Sequence, residues 1–85
     1  MAAMRLNHLH QHILRAMSGQ GFLKVHRDIE GNKICKLHAL DGGEEVIPPA
    51  AVAYLVNHGL IDSNKKFPAA TYWLTPFGTE RVKTL

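Results

Sequence analysis

The sequence predicts a single α+β domain over residues 1–85, with the element order helix, β-hairpin, helix, β-hairpin, helix. Three observations favour this class. Apolar residues recur at helical spacing near the N-terminus, the period changes to alternation after two glycines, and a β-rich run near the C-terminus leads into a proline-started helix. A chain of 85 residues has the length of one domain.

The first helix is predicted over residues 5–18. Its apolar stripe consists of Leu6, Leu9, Ile13 and Met17. Asn7 is a candidate N-cap, with a start nearer Ala3 as the alternative. The helix should end at Ser18, because two glycines follow within three residues.

A β-hairpin is predicted over residues 22–40, with its turn at residues 30–32. Leu23 and Val25 alternate with polar residues on the first strand, and Cys35 and Leu37 do so on the second. One hairpin face should therefore be apolar and the other polar and charged. A glycine-rich turn at residues 41–43 leads to a brief extended piece over residues 44–47, since a residue before proline avoids helix.

The second helix is predicted from Pro48 to His58, with Val52, Leu55 and Val56 on its packed side and Gly59 as its stop. A strand at residues 60–61, a polar turn at residues 62–66 and a returning strand at residues 71–74 should follow. The last helix should run from Pro76 to the C-terminus, with Thr75 as its N-cap.

The pattern Tyr-x-Leu-Thr-x-x-Gly over residues 72–78 resembles the last wing strand and closing helix of winged-helix domains. The resemblance implies a winged-helix-like binding module, with the second hairpin as its wing and the helix before it in the place of a recognition helix. A β-hairpin and two prolines stand where the first helix of a helix-turn-helix would be.

The whole layout is similar to that of the YjhX-type family of small bacterial proteins, described as toxins that inhibit type I DNA topoisomerase. The positions that carry the likeness are Ile13-Leu14, the turn Asp28 to Gly31, Gly43, Leu60-Ile61 and Tyr72. The resemblance implies an inhibitor of DNA-processing machinery. In place of a more basic helix, this chain has Pro48-Pro49 followed by an apolar helix.

Composition sets broad limits on function. The formal net charge is +3 and the pI about 9.3, which permits contact with nucleic acid or with an acidic protein. The chain has no apolar run of the length that spans a bilayer and no signal-peptide core, and its single cysteine cannot form an internal disulfide. We therefore expect a cytoplasmic protein that does not bind membranes.

One hypothesis is a DNA-binding transcriptional regulator, dimeric if its site is palindromic. Its candidate duplex-DNA contacts are the wing-tip lysines and the scattered basic residues: Lys65, Lys66, Arg5, Arg15, Lys24 and Arg27. The helix over residues 48–58 weakens this hypothesis, because it contains no Lys or Arg to read base edges.

The other hypothesis, which we favour, is a protein-interaction inhibitor or adaptor. Strand alternation puts Tyr72 and Leu74 on the inner face, so Trp73 is expected to be partly exposed beside Phe67, although cover by the first hairpin or first helix is an equal alternative. Ala50 and Ala53 suit close approach by a partner. Trp73, Phe67 and Tyr54 are therefore the candidate interface residues.

No catalytic, metal or cofactor site is predicted. His8 and His12 have the spacing of two zinc ligands, but a third ligand would have to come from His26 or His38, and exposed neutral histidines are the simpler interpretation. Cys35 is expected to be a buried thiol. Asp41, Glu44 and Glu45 are expected to form a solvated acidic turn. These residue types lack the arrangements that catalysis needs, and we expect a non-enzymatic protein.

Overall fold

The computed structural model describes residues 6–64 and 69–85. In these ranges the chain forms a small α+β fold of three helices and one five-stranded antiparallel sheet. The elements are α1 (His8–Ser18), β1 (Phe22–Arg27), β2 (Lys33–His38), β3 (Glu44–Ile47), α2 (Pro49–Asn57), β4 (Ile61–Ser63), β5 (Ala70–Leu74) and α3 (Pro76–Val82).

The five strands lie in the order β3-β2-β1-β5-β4, and each neighbouring pair is antiparallel. The two predicted hairpins, β1–β2 and β4–β5, are confirmed. They are not separate, however, because β1 also pairs with β5 and places Leu23 opposite Tyr72. The predicted extended piece over residues 44–47 is a full edge strand on β2, since its backbone groups complete hydrogen bonds that would otherwise be left to water.

Helix α1 begins at His8, three residues later than predicted, and ends at Ser18 as expected. Asn7 is the N-cap: its side-chain oxygen accepts a hydrogen bond from the backbone N–H of His10 at 2.8 Å. In return, the Nδ1 atom of His10 accepts from the backbone N–H of Asn7 at 3.3 Å. This reciprocal capping box satisfies two of the N–H groups that a helix start leaves without partners.

Helix α2 begins at Pro49 and ends at Asn57, one residue inside each predicted bound, and α3 begins at Pro76 as predicted. Gly59, the predicted stop after α2, has a φ of +72°. The Thr75 hydroxyl caps α3 by accepting from the N–H of Gly78 at 2.9 Å. The same hydroxyl donates to the carbonyl oxygen of Gly59 at 2.6 Å, which ties the chain after α2 to the start of α3. Helix α3 ends at Val82, before the C-terminus that the sequence predicted.

The polar turn of the second hairpin begins later than predicted. Asp62 and Ser63 belong to β4, where they pair with Trp73 and Tyr72. An isolated polar run favours a turn, but here the neighbouring strand offers hydrogen-bond partners to the backbone, and those partners decide the outcome. The last two positions of the predicted turn, Lys65 and Lys66, lie outside the described residues.

All three helices pack on one face of the sheet, and the core lies between the two layers. The core side chains are Ile13, Leu14, Met17, Leu23, Val25, Cys35, Leu37, Ile47, Ala51, Val52, Leu55, Leu60 and Ile61. Tyr72 and Leu74 pack against this cluster, so the predicted inner face of the last strand is confirmed. Val56, predicted on the packed side of α2, is instead 39% exposed at its rim.

Candidate functional site

None of the helices in residues 6–64 and 69–85 lies on the second face of the sheet, which we call the open face. Alternation along the five strands brings one set of side chains to it, and none of them is buried. These residues are Phe22, Lys24, His26, Ile34, Lys36, His38, Glu44, Val46, Asp62, Thr71 and Trp73. An antiparallel sheet with one solvated face usually presents polar residues there, so the aromatic members are informative.

Two large aromatic side chains lie on adjacent central strands of the open face. Phe22 is 41% exposed and Trp73 is 47% exposed. The register that pairs Leu23 with Tyr72 brings Phe22 and Trp73 side by side on β1 and β5. The Phe22 ring also stacks on the imidazole of His38, with ring centroids 4.8 Å apart and 12° between the planes. Of the two predicted alternatives for Trp73, partial exposure is therefore correct, and cover by the first hairpin or the first helix is not.

The charges of the open face nearly balance. Its strand positions carry Lys24 and Lys36, which lie directly opposite each other on β1 and β2, and the carboxylates Glu44 and Asp62. Facing like charges repel. Glu44 relieves this, because its Oε1 atom lies 3.0 Å from the Nζ atom of Lys36. The hydrogen bond from Lys36, followed by the charge of Lys36, lowers the pKa of the Glu44 carboxyl.

The candidate nucleic-acid residues in the described part do not form one patch. Arg15 is exposed on α1, and Lys24 is on the open face. Arg27 lies on the helix-side face of β1, where its guanidinium donates to the carbonyl oxygen of Gly31 at 2.8 Å. Three further candidates lie outside the described residues: Arg5, Lys65 and Lys66.

The candidate protein-interface residues also separate. Trp73 is on the open face, whereas Tyr54 is half-buried on α2, on the helix side of the sheet. The Tyr54 ring is stacked between His10, at 4.2 Å, and His58, at 4.1 Å. Tyr54 therefore connects α1 to α2. Phe67 lies outside the described residues.

The histidines of α1 differ in their surroundings. His8 and His12 are exposed as expected, and the Nε2 atom of His12 lies 3.0 Å from a carboxylate oxygen of Glu45. His10, by contrast, is only 8% exposed, because it packs against Tyr54. Burial, and secondarily the charge of His58, lowers the pKa of His10. Within residues 6–64 and 69–85, no group of three or more His, Cys, Asp or Glu side chains is placed to hold a metal.

Cys35 is buried as predicted, and this burial raises the pKa of its thiol while the charge of Lys33 acts in the opposite direction. A buried thiol with a raised pKa is a poor nucleophile. Glu44 and Glu45 are exposed to solvent as predicted, but they lie in a strand and not in a turn. Both lie in β3, where Glu44 forms an ion pair with Lys36 of β2 and Glu45 is within hydrogen-bond distance of the Nε2 atom of His12 on α1.

Sequence reasoning overlooked Phe22 and His38 as members of the surface around Trp73. The signal was present in the alternation, because Phe22 is one residue before the inward-facing Leu23 and must point to the opposite face. The alternation does not predict that β1 pairs with β5, because this pairing joins two hairpins that are distant in the sequence.

Comparisons with models of protein families, with curated proteins and with solved structures found no match to this chain. Among the described residues, no helix has the length and apolar character needed to cross a membrane.

Proposed function

We propose that this chain is a small non-enzymatic binding module that docks a partner protein on the open face of its sheet. The observation that carries the proposal is the adjacent pair Phe22 and Trp73, two large aromatic side chains that are each more than 40% exposed. Aromatic side chains clustered at the centre of a surface are typical of protein-interface hot spots. Burial of these rings by a partner would remove apolar surface from water.

The charge of the open face favours a protein over a nucleic acid as the occupant. Phosphate binding needs cations that are not already neutralised, and its strength depends on their number. Lys36 is paired with Glu44, and Asp62 lies opposite Trp73 in the same sheet, which leaves Lys24 as the open-face lysine without an ion pair among the described residues. A mixed, nearly neutral surface around two aromatic rings suits a protein partner.

The topology also supports a winged-helix-like description. β5 lies between β1 and β4, and helices α1, α2 and α3 cover one face of these strands. In this proposal β4 and β5 form the wing. Helix α2 takes the place of a recognition helix, and its exposed residues include Ala50, Ala53 and Val56 but no Lys or Arg. The apolar surface of α2 supports an adaptor or inhibitor of DNA-processing machinery rather than a reader of bases.

The proposal is tested by capturing partners from a bacterial lysate and then measuring the purified pair. The test variant is Phe22→Ala/Trp73→Ala, and the matched control is Phe77→Ala, which removes an aromatic ring that is 52% exposed on α3. We expect one DNA-processing protein to bind the wild type and the control. The double variant should bind the purified partner at least about tenfold more weakly. Equal binding by all three proteins would remove the open face from the interface.

The DNA-binding alternative has its own measurement. Fluorescence anisotropy with a labelled random duplex at about 50 mM salt should detect no binding tighter than about 1 µM. If the chain binds the duplex more tightly than this and Lys65→Glu/Lys66→Glu abolishes the binding, the chain is a DNA-binding regulator and the protein-binding proposal is wrong. Sedimentation of the free chain tests a homodimer, and a dimer disrupted by Phe22→Ala/Trp73→Ala would mean that the open face binds a second copy of the chain.

A further inference from the structure

A groove of about 200 Å³ opens on the helix side of the sheet, between α2 and the strands β1, β2 and β5. Its floor consists of core side chains, including Val25 and Cys35, which are 7% and 1% exposed. One wall is the rim of α2, where Val56 is 39% exposed. Tyr72 of β5 also lines it. A concavity with an apolar floor resembles the anchor pockets that interfaces use for single side chains.

The polar groups at the groove are cationic or uncharged. Lys33 lines it, and no Asp or Glu belongs to its described lining. Arg27 lies directly opposite Lys33 in the β1–β2 pair, so two cations stand side by side on this face. Neither has an ion pair with a carboxylate among the described residues. Two facing cations are unfavourable unless an anion joins them.

Tyr72 and Asn57 add hydrogen-bonding capacity. Within the described part of the chain, the Tyr72 hydroxyl and the Asn57 side chain have no hydrogen-bond partner, and both residues line the groove. A phenol donates one hydrogen bond and an amide donates two. The groove thus combines an apolar floor with a positive edge and neutral donors.

We propose that this groove binds an acidic–hydrophobic peptide segment of a partner protein. One branched aliphatic side chain of the peptide occupies the floor over Val25 and Cys35, and a neighbouring carboxylate pairs with Lys33. The charge complementarity favours a peptide that carries carboxylates over one that carries lysines. The groove and the open face lie on opposite sides of the sheet, so this is a second site and does not depend on the docking of a partner over Trp73.

The test is an amide ¹H–¹⁵N chemical-shift titration of the full chain with three short peptides, each N-acetylated and C-amidated. The probe is Asp-Leu-Asp-Asp, the charge control is Lys-Leu-Lys-Lys, and the apolar control is Asp-Gly-Asp-Asp. We expect the probe to shift the amide signals of Val25, Cys35 and Val52 and to bind more tightly than either control.

Two matched lysine variants locate the charge. Lys33→Glu should weaken binding of the probe by about fivefold, whereas Lys24→Glu, on the open face of the same strand pair, should leave it unchanged. Ala53→Trp should block the groove, since Ala53 is exposed and lines it. Unchanged dispersion of the amide spectrum shows that each variant is folded.

Three results would overturn the proposal: shifts confined to the open face, equal binding of the acidic and basic peptides, or equal effects of the two lysine variants. Absence of binding up to about 10 mM peptide would also overturn it, because even weak specific contacts give dissociation constants in the millimolar range. None of these results alters the Trp73 experiment. A failure of the groove and a failure of the open face are therefore separable.

Discussion

The imidazole of His10 lies flat against the phenol ring of Tyr54, with centroids 4.2 Å apart and 6° between the planes. His58 stacks on the other side of Tyr54, and its Nδ1 atom is 2.9 Å from the Tyr54 carbonyl oxygen. The three rings form a column between α1 and α2. His10 also accepts the capping hydrogen bond from Asn7, which requires an unprotonated Nδ1 atom.

Acid should destabilise the fold through His10. Its pKa is lowered below the usual 6.5 by burial and by His58, so the unfolded chain binds this proton more readily than the folded chain. The contribution of His10 to stability is therefore intact above pH 6.5 and is lost as the pH falls below that value.

Urea unfolding at several pH values measures this effect against His10→Phe, which keeps a stacked ring but cannot titrate. The free energy of unfolding of the wild type, relative to this variant, should fall between pH 7.5 and pH 5. If the difference in the free energy of unfolding between the wild type and His10→Phe is constant across that range, protonation of His10 does not destabilise the fold.

Removal of the Thr75 hydroxyl should destabilise the chain by about 1–2 kcal/mol. This hydroxyl caps α3 through Gly78 and donates to Gly59, so Thr75→Val leaves both groups without their partner while it preserves the shape of the side chain. Thr75→Ser restores the hydroxyl and should stay near the wild type in thermal and denaturant unfolding. Wild-type stability of Thr75→Val would contradict a contribution from these two hydrogen bonds.

Gly78 should tolerate no larger residue. A Cβ atom at this position would overlap the carbonyl oxygen of Leu60, which is backbone and cannot turn away. Gly78→Ala should therefore cost about 3 kcal/mol, even though alanine favours helices. The matched control is Gly19→Ala, where the nearest atoms to a new Cβ lie 3.6 Å away, and this variant should unfold with nearly wild-type stability. Equal denaturation midpoints for the two variants would contradict the close approach of α3 to residue 60.

The ion pair between Glu44 and Lys36 should be visible in a carboxyl titration. A hydrogen bond and charge from Lys36 hold the pKa of Glu44 below the usual 4.5, so the stabilisation is present above that value and is lost as the pH falls through the lowered pKa. Lys36→Met should return the pKa of Glu44 toward 4.5, as followed by ¹³C NMR of its carboxyl carbon. Lys24→Met removes the facing lysine and should leave Glu44 with its lowered pKa. If the pKa of Glu44 is the same in Lys36→Met as in the wild type, the two side chains do not interact in solution.

Much of the local structure was predictable because it depends on neighbours in the sequence. Asn7 and Thr75 cap their helices, Gly59 adopts a positive φ, and the alternation around Cys35 and Leu37 puts both in the core. Each of these features follows from a side chain and a backbone group within a few residues of each other. The exposure of Trp73 also follows locally, once Tyr72 and Leu74 are assigned to the inner face.

The candidate surfaces needed contacts between distant parts of the chain. Phe22 and Trp73 are 51 positions apart, and only the pairing of β1 with β5 makes them neighbours. Burial of His10 depends on Tyr54 of another helix. The contacts of Glu44 with Lys36 and of Glu45 with His12 depend on β3 joining the sheet. Sequence patterns specify which way a side chain points along its own element, but they do not specify which elements meet.

By itself, the sequence determined that there are three helices and two hairpins, that Asn7 and Thr75 are N-caps, and which residues of β1, β2 and β5 point inward, because period and capping are short-range properties of the chain. Only the tertiary structure decided that five strands form one sheet, that its uncovered face gathers Phe22, Lys24 and Trp73, and that a groove with Lys33 at its edge opens beside α2. The physical reason is that strand order and helix docking are set by long-range backbone hydrogen bonds and by the burial of a shared core, which no single segment contains.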